Sequence, residues 1–103
     1  MKLVLLLRVD EVPWRQVPPD RWPVADFVRL IDEARVHGLV FSVLPSARTL
    51  IAFPSLTDLV LGEGHRLVTQ VPGEVRVEDV APGTDADRLA EWVKRQRAEG
   101  WTL

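Results

Sequence analysis

The chain has 103 residues, 47% of them hydrophobic and 27% charged, with a formal net charge of −2. That is the make-up of one domain, residues 1–103, long enough to bury a core without disulfides or a structural metal. Cysteine is absent, which excludes thiolate catalysis, iron–sulfur clusters and cysteine-rich zinc sites and fits a reducing, cytoplasmic setting. Acidic and basic residues are interspersed, an arrangement that argues against nucleic acid. The first apolar run, residues 3–7, meets Arg8 too soon to span a membrane or to serve as a signal core.

Residues 2–9 form a nearly unbroken Leu/Val run, the pattern of a strand covered on both faces. Residues 12–23 hold four prolines and two tryptophans, which exclude a regular helix or central strand and leave an ordered loop. Pro23 suits a first helical position, and Val24, Phe27, Val28, Ile31 and Ala34 then recur at helical spacing until Gly38 supplies a stop. Residues 39–44 are again short, apolar and β-prone, and they close a strand–helix–strand unit whose two strands run parallel. A helical turn or two is expected over 46–53. After Pro54 comes a short helix capped by Ser55 with Asp58 and ended by Gly62-Glu63-Gly64. Residues 66–71 read as a third strand before the Pro72-Gly73 turn, and 74–80 as a short exposed strand. Thr84 with Asp87 opens a last helix carrying Leu89, Trp92, Val93 and Gln96 toward Gly100, and Trp101-Thr102-Leu103 begins a further strand. The expected fold is α/β, a small β-α-β-α-β sheet of mainly parallel strands. The alternative is a ferredoxin-like α+β sandwich in which 74–80 is a central antiparallel strand.

Ligands of α/β sheets bind beyond the carboxyl ends of the strands. Here those positions hold Asp10 and Glu11 after the first strand, Ser46 and Arg48 after the second, and Thr69, Gln70 and Glu74 after the third, all expected on one rim. Adjacent carboxylates at a strand end point to different sides, so one can face a metal while the other takes a proton from bound water. The same pair is equally at home in a solvated turn. Trp14 and Trp22 offer flat faces for stacking on a sugar or another small molecule, or else a lid over the core or a subunit interface. His37 suits a donor at a helix C-terminus, His65 suits ordering the loop that enters the third strand, and Trp92 and Trp101 suit core or interface positions. A Ser-His-Asp pattern, an HExxH pair and a phosphate-cradling glycine loop are all missing, so proteases, P-loop enzymes and dinucleotide binding find no support.

Three segments occur in a suggestive order: Leu6-Leu7-Arg8-Val9-Asp10-Glu11-Val12-Pro13, Val36-His37-Gly38-Leu39-Val40-Phe41-Ser42-Val43-Leu44, and Phe53-Pro54 through Leu59-Val60 to Glu63-Gly64-His65. Together they resemble the amino-terminal part of a polysaccharide-deacetylase-like (carbohydrate esterase) domain, over roughly residues 3–71. The resemblance implies the opening of that family's distorted barrel, with Asp10 at the catalytic base and Glu11 at a metal-binding aspartate. Gln70 and Glu74 fall where the family carries its two metal-binding histidines. An oxygen-rich set of Glu11, Gln70 and Glu74 would hold magnesium, calcium or manganese weakly, and zinc poorly. The strands bearing the family's substrate-binding arginine and catalytic histidine have no counterpart. The expectation is a shortened, non-catalytic relative acting as a binding or oligomerising domain, with no cofactor or a weakly bound divalent metal. Trp14, Trp22 and Arg48 would contact a carbohydrate or other small ligand, and a homo-oligomer would hide open sheet edges. Two alternatives stand beside it: a metal-dependent deacetylase- or esterase-like hydrolase, in which Asp10 activates water on an ion at Glu11, and a ferredoxin-like protein-interaction domain.

Overall fold

The computed structural model describes residues 1–9, 24–52, 54–81 and 83–103, and for residues 24–26, 48 and 52 the backbone alone. The Leu/Val run forms β1 (Leu3–Val9), and the next β-prone segment forms β2 (Phe41–Pro45). With β3 (Arg66–Leu67) and β4 (Arg76–Val80) they make one sheet in the order β3-β2-β1-β4, every pair parallel. The all-parallel ladder overturns the ferredoxin-like alternative. Residues 76–80 are no central antiparallel strand but an edge strand running with β1, Leu3 opposite Arg76 and Leu7 opposite Val80.

The described helices are α1 (Val24–Val36), α2 (Ala47–Ala52), α3 (Leu56–Gly62) and α4 (Ala86–Ala98). Because side chains alternate across a strand, Leu5, Leu7 and Val9 of β1 share a face with Phe41 and Val43 of β2 and Val80 of β4. That face meets Phe27, Leu30, Ile31 and Ala34 of α1, Leu56 and Val60 of α3, and Leu89 and Val93 of α4. Each of the larger of these side chains contributes about 1.5–3 kcal/mol when fully buried. The opposite face carries Val4 and Leu6, both buried, beside Ser42 and the Arg8–Asp79 ion pair (2.8 Å). Both partners of that pair are at least half exposed or nearly so, at 49% and 63%, so it adds no more than about 1 kcal/mol and the apolar strand dominates.

Three helices end in one backbone solution. At α1 the Leu39 N–H donates to the Ala34 carbonyl (2.9 Å) and the Gly38 N–H to Arg35 (3.1 Å). At α3 His65 reaches Val60 and Gly64 reaches Leu61, and at α4 Trp101 reaches Gln96 and Gly100 reaches Arg97. The glycines have φ of +69°, +81° and +99°, the left-handed conformation that lets a helix turn at once into extended chain. The first two stops were legible as Gly38 and Gly64.

Other boundaries moved. The third strand was expected over 66–71 but pairs only over Arg66–Leu67. Ser55 is itself helical (φ −74°, ψ −5°) and makes no side-chain cap, because the chain enters α3 directly from the turn at Pro54. The last helix is capped by Asp85 rather than Thr84: its carboxylate accepts the N–H groups of Asp87 (2.9 Å) and Arg88 (3.4 Å). Trp101-Thr102-Leu103 forms a single parallel bridge, Thr102 opposite Lys2. Trp92 and Trp101 flank the Arg76 guanidinium, with ring centroids 5.6 and 4.8 Å away, and Gln96 accepts its hydrogen bond at 2.7 Å. These contacts tie β4 to α4. Among the described residues, no helix is long and apolar enough to cross a membrane.

A Cβ at position 64 would meet nothing within 4 Å, so Gly64→Ala tests the backbone conformation alone. It is expected to lower the unfolding free energy by about 1–2 kcal/mol, read as a lower urea midpoint at unchanged m-value.

Candidate functional site

The chain passes from β1 to β2 to β3 on one side and then returns to β4 on the other side of β1, so the strand order reverses between β1 and β4. In parallel α/β sheets such a reversal opens a crevice beyond the carboxyl ends of the two strands. Asp10 and Glu11 follow β1 directly in sequence. They lie outside the described residues, as do Trp14 and Trp22.

The neighbouring β1–β2 rim is locked by hydroxyls. The Val9 carbonyl accepts from the Ser46 N–H (3.1 Å) and from the Thr49 hydroxyl (3.1 Å). With the Thr49 proton spent on Val9, the 2.8 Å contact between the two hydroxyls has Ser46 as donor. Ser46 Oγ accepts in turn from the Thr49 N–H (3.1 Å) and so starts α2. Arg48 sits in the first turn of α2, its backbone on this rim. Gln70 is exposed on the run leaving β3.

Glu74 does not join them. Because β4 runs parallel to β1 and starts opposite Leu3, the residues just before it lie at the amino-terminal edge of the sheet, across from the rim. The expected convergence of Glu11, Gln70 and Glu74 therefore fails at Glu74. Its own backbone is unusual, with a positive φ of 59° that side-chain-bearing residues adopt at a cost.

Beyond β4, Gly83, Thr84 and Asp85 wrap toward the carboxyl-terminal half of α1. With Arg29, Glu33 and His37 they line a cavity of about 510 Å³. His37 and Asp87 join its two walls through a 2.8 Å Nε2–Oδ1 hydrogen bond. The end of α1 presents a donor and the start of α4 a carboxylate, so each sits where its helix dipole favours it. Arg29 and Glu33 on the α1 wall, and Thr84, Asp85 and Asp87 on the other, give the cavity both donors and acceptors, a lining suited to a polar ligand. Placing His37 at a helix end was within reach of the sequence, but its partner fifty residues away was not. Among the described residues, no group of three His, Asp or Glu gathers as a metal-binding set.

The fold is a parallel α/β domain, and its polar cavity lies between the carboxyl-terminal end of α1 and the start of α4. Comparison of the chain with protein-family models, with curated proteins and with solved structures returned no match.

Two substitutions probe the rim and the amino-terminal edge across from it. Thr49→Val keeps the shape of a side chain only 1% exposed while removing its hydroxyl, and is expected to cost about 1–2 kcal/mol in chemical unfolding. Glu74→Gly relieves the positive φ, and an increase in thermal stability corresponding to about 1 kcal/mol is expected if the side chain holds no ligand.

Proposed function

We propose that the chain is a non-catalytic binding domain, a shortened relative of the polysaccharide-deacetylase scaffold, that takes a small polar molecule of the carbohydrate class between the end of α1 and the turn that follows β4. The observation that carries this reading is the polar cavity of about 510 Å³ where the turn after β4 meets α1, within the size range of small-molecule sites. The place of Glu74 just before β4, at the amino-terminal edge of the sheet, supports binding over hydrolysis, since it holds one oxygen ligand suggested for a divalent ion away from the carboxyl ends of the strands. Among the described residues β3 and β4 are the edge strands of the sheet, which supports self-association through them.

The test is a titration of ¹⁵N-labelled protein with N-acetylglucosamine oligomers. The amides of Gly83, Thr84 and Asp87 are expected to shift, with affinity falling about tenfold in Arg29→Ala, equivalent to about 1.4 kcal/mol. Saturating oligomer without a shift at these amides would remove the reading. Calorimetry with Mg²⁺, Ca²⁺, Mn²⁺ and Zn²⁺ on the parent chain and on Glu11→Gln separates the hydrolase. Micromolar binding lost in the variant would favour the metal-dependent enzyme instead.

A further inference from the structure

His65 is the one buried histidine, 4% exposed, and it joins three elements. Its backbone N–H closes the end of α3 on the Val60 carbonyl, and the next residue begins β3. Its ring Nδ1 accepts the Phe41 N–H at 3.0 Å, and the imidazole lies 5.3 Å from the Phe41 ring. Phe41 is the first residue of β2 and β3 has only two residues, so the imidazole extends the β2–β3 ladder by one rung. An acceptor must carry a lone pair, which places the neutral ring's proton on Nε2. Nε2 is buried and completes no hydrogen bond; the Ile31 carbonyl of α1 favours a proton there without reaching hydrogen-bond geometry.

A second proton has one place to go, Nδ1, where it would meet the Phe41 N–H donor head on. It would also put a charge in an apolar setting. The charged groups around the ring are Glu63, two residues back, and Arg35 from α1, which pair with each other at 3.1 Å. Arg66 follows in the chain and is exposed, and the five residues of β2 are uncharged. We propose that His65 is a proton-operated latch on the β2–β3–α3 side of the sheet, closed while the ring is neutral and opened when Nδ1 is protonated.

Burial holds the ring below the ordinary histidine value of 6.5, with the Ile31 carbonyl and Glu63 pulling weakly the other way. The sign follows from linkage: a histidine whose folded pKa is depressed contributes stability that is present above about pH 6.5 and is lost as pH falls through the folded value. The opening is local because β3 is held by few ladder bonds, whereas β1 is paired along both edges.

Amide hydrogen exchange on the full chain at pH 7 and pH 5, corrected for intrinsic exchange, tests the latch. Protection at Phe41 and Val68 is expected to fall about tenfold or more, while Leu6 and Leu7 keep theirs. In His65→Asn, whose Oδ1 can accept the Phe41 N–H but does not titrate, the difference should vanish. Unchanged protection at Phe41, equal loss at every amide, or a variant that keeps the difference would each overturn the proposal. Should the variant not fold, the ring signals of the parent chain decide. A His65 titration coinciding with the loss at Phe41 supports the latch, and a titration separated from it by a pH unit or more overturns it.

Discussion

Everything in this molecule is arranged around β1. It is hydrogen-bonded along both edges, to β2 and to β4, and it is apolar on both faces except at Arg8. Apart from Arg8, a strand so placed loses nearly all contact with water, which a Leu/Val run tolerates. Its position also sets the one asymmetry of the sheet. The chain leaves β1 toward β2 and β3 and returns to its other edge for β4, and the turn that follows β4 lines the cavity beside α1.

The local grammar of the fold was written plainly. β1, α1 and β2 follow from apolar runs and helical spacing, and Gly38 and Gly64 mark stops because a left-handed residue is a local requirement that glycine meets alone at low cost. What escaped reading was set by contacts between distant residues. Nothing within 74–80 says whether that strand runs with β1 or against it, and the direction decides where Glu74 sits. A strand parallel to β1 must begin at the amino-terminal edge, so a residue read as following β3 ends up there, away from the carboxyl ends of the strands. The cap of α4 shifted from Thr84 to Asp85 because both residues suit the role and tertiary context selects between them. Of the candidate site, the carboxylates Asp10 and Glu11 follow β1 in sequence and lie outside the described residues. The link between His37 and Asp87 depended on packing that no short window contains.

The two histidines illustrate opposite uses of one side chain. His37 sits at a helix end, partly open, and shares its proton with a carboxylate across a cavity wall. His65 replaces a backbone carbonyl in a ladder and is shut away from water. The first joins two helix ends across a cavity wall, whereas the second has a geometry that only the neutral ring satisfies.

The bridge between Met1, Leu3 and Thr102 also has a mechanical meaning. The Thr102 N–H and hydroxyl both donate to the Met1 carbonyl (2.9 and 3.0 Å), and the Leu3 N–H donates to the Thr102 carbonyl (2.8 Å). The two segments run parallel, so a pull between the amino and carboxyl ends draws them past each other along their length. The three bonds then share the load in shear instead of opening singly like a zipper. The meeting point of the two ends is thus a clamp, standing between an applied tension and the edges of β1.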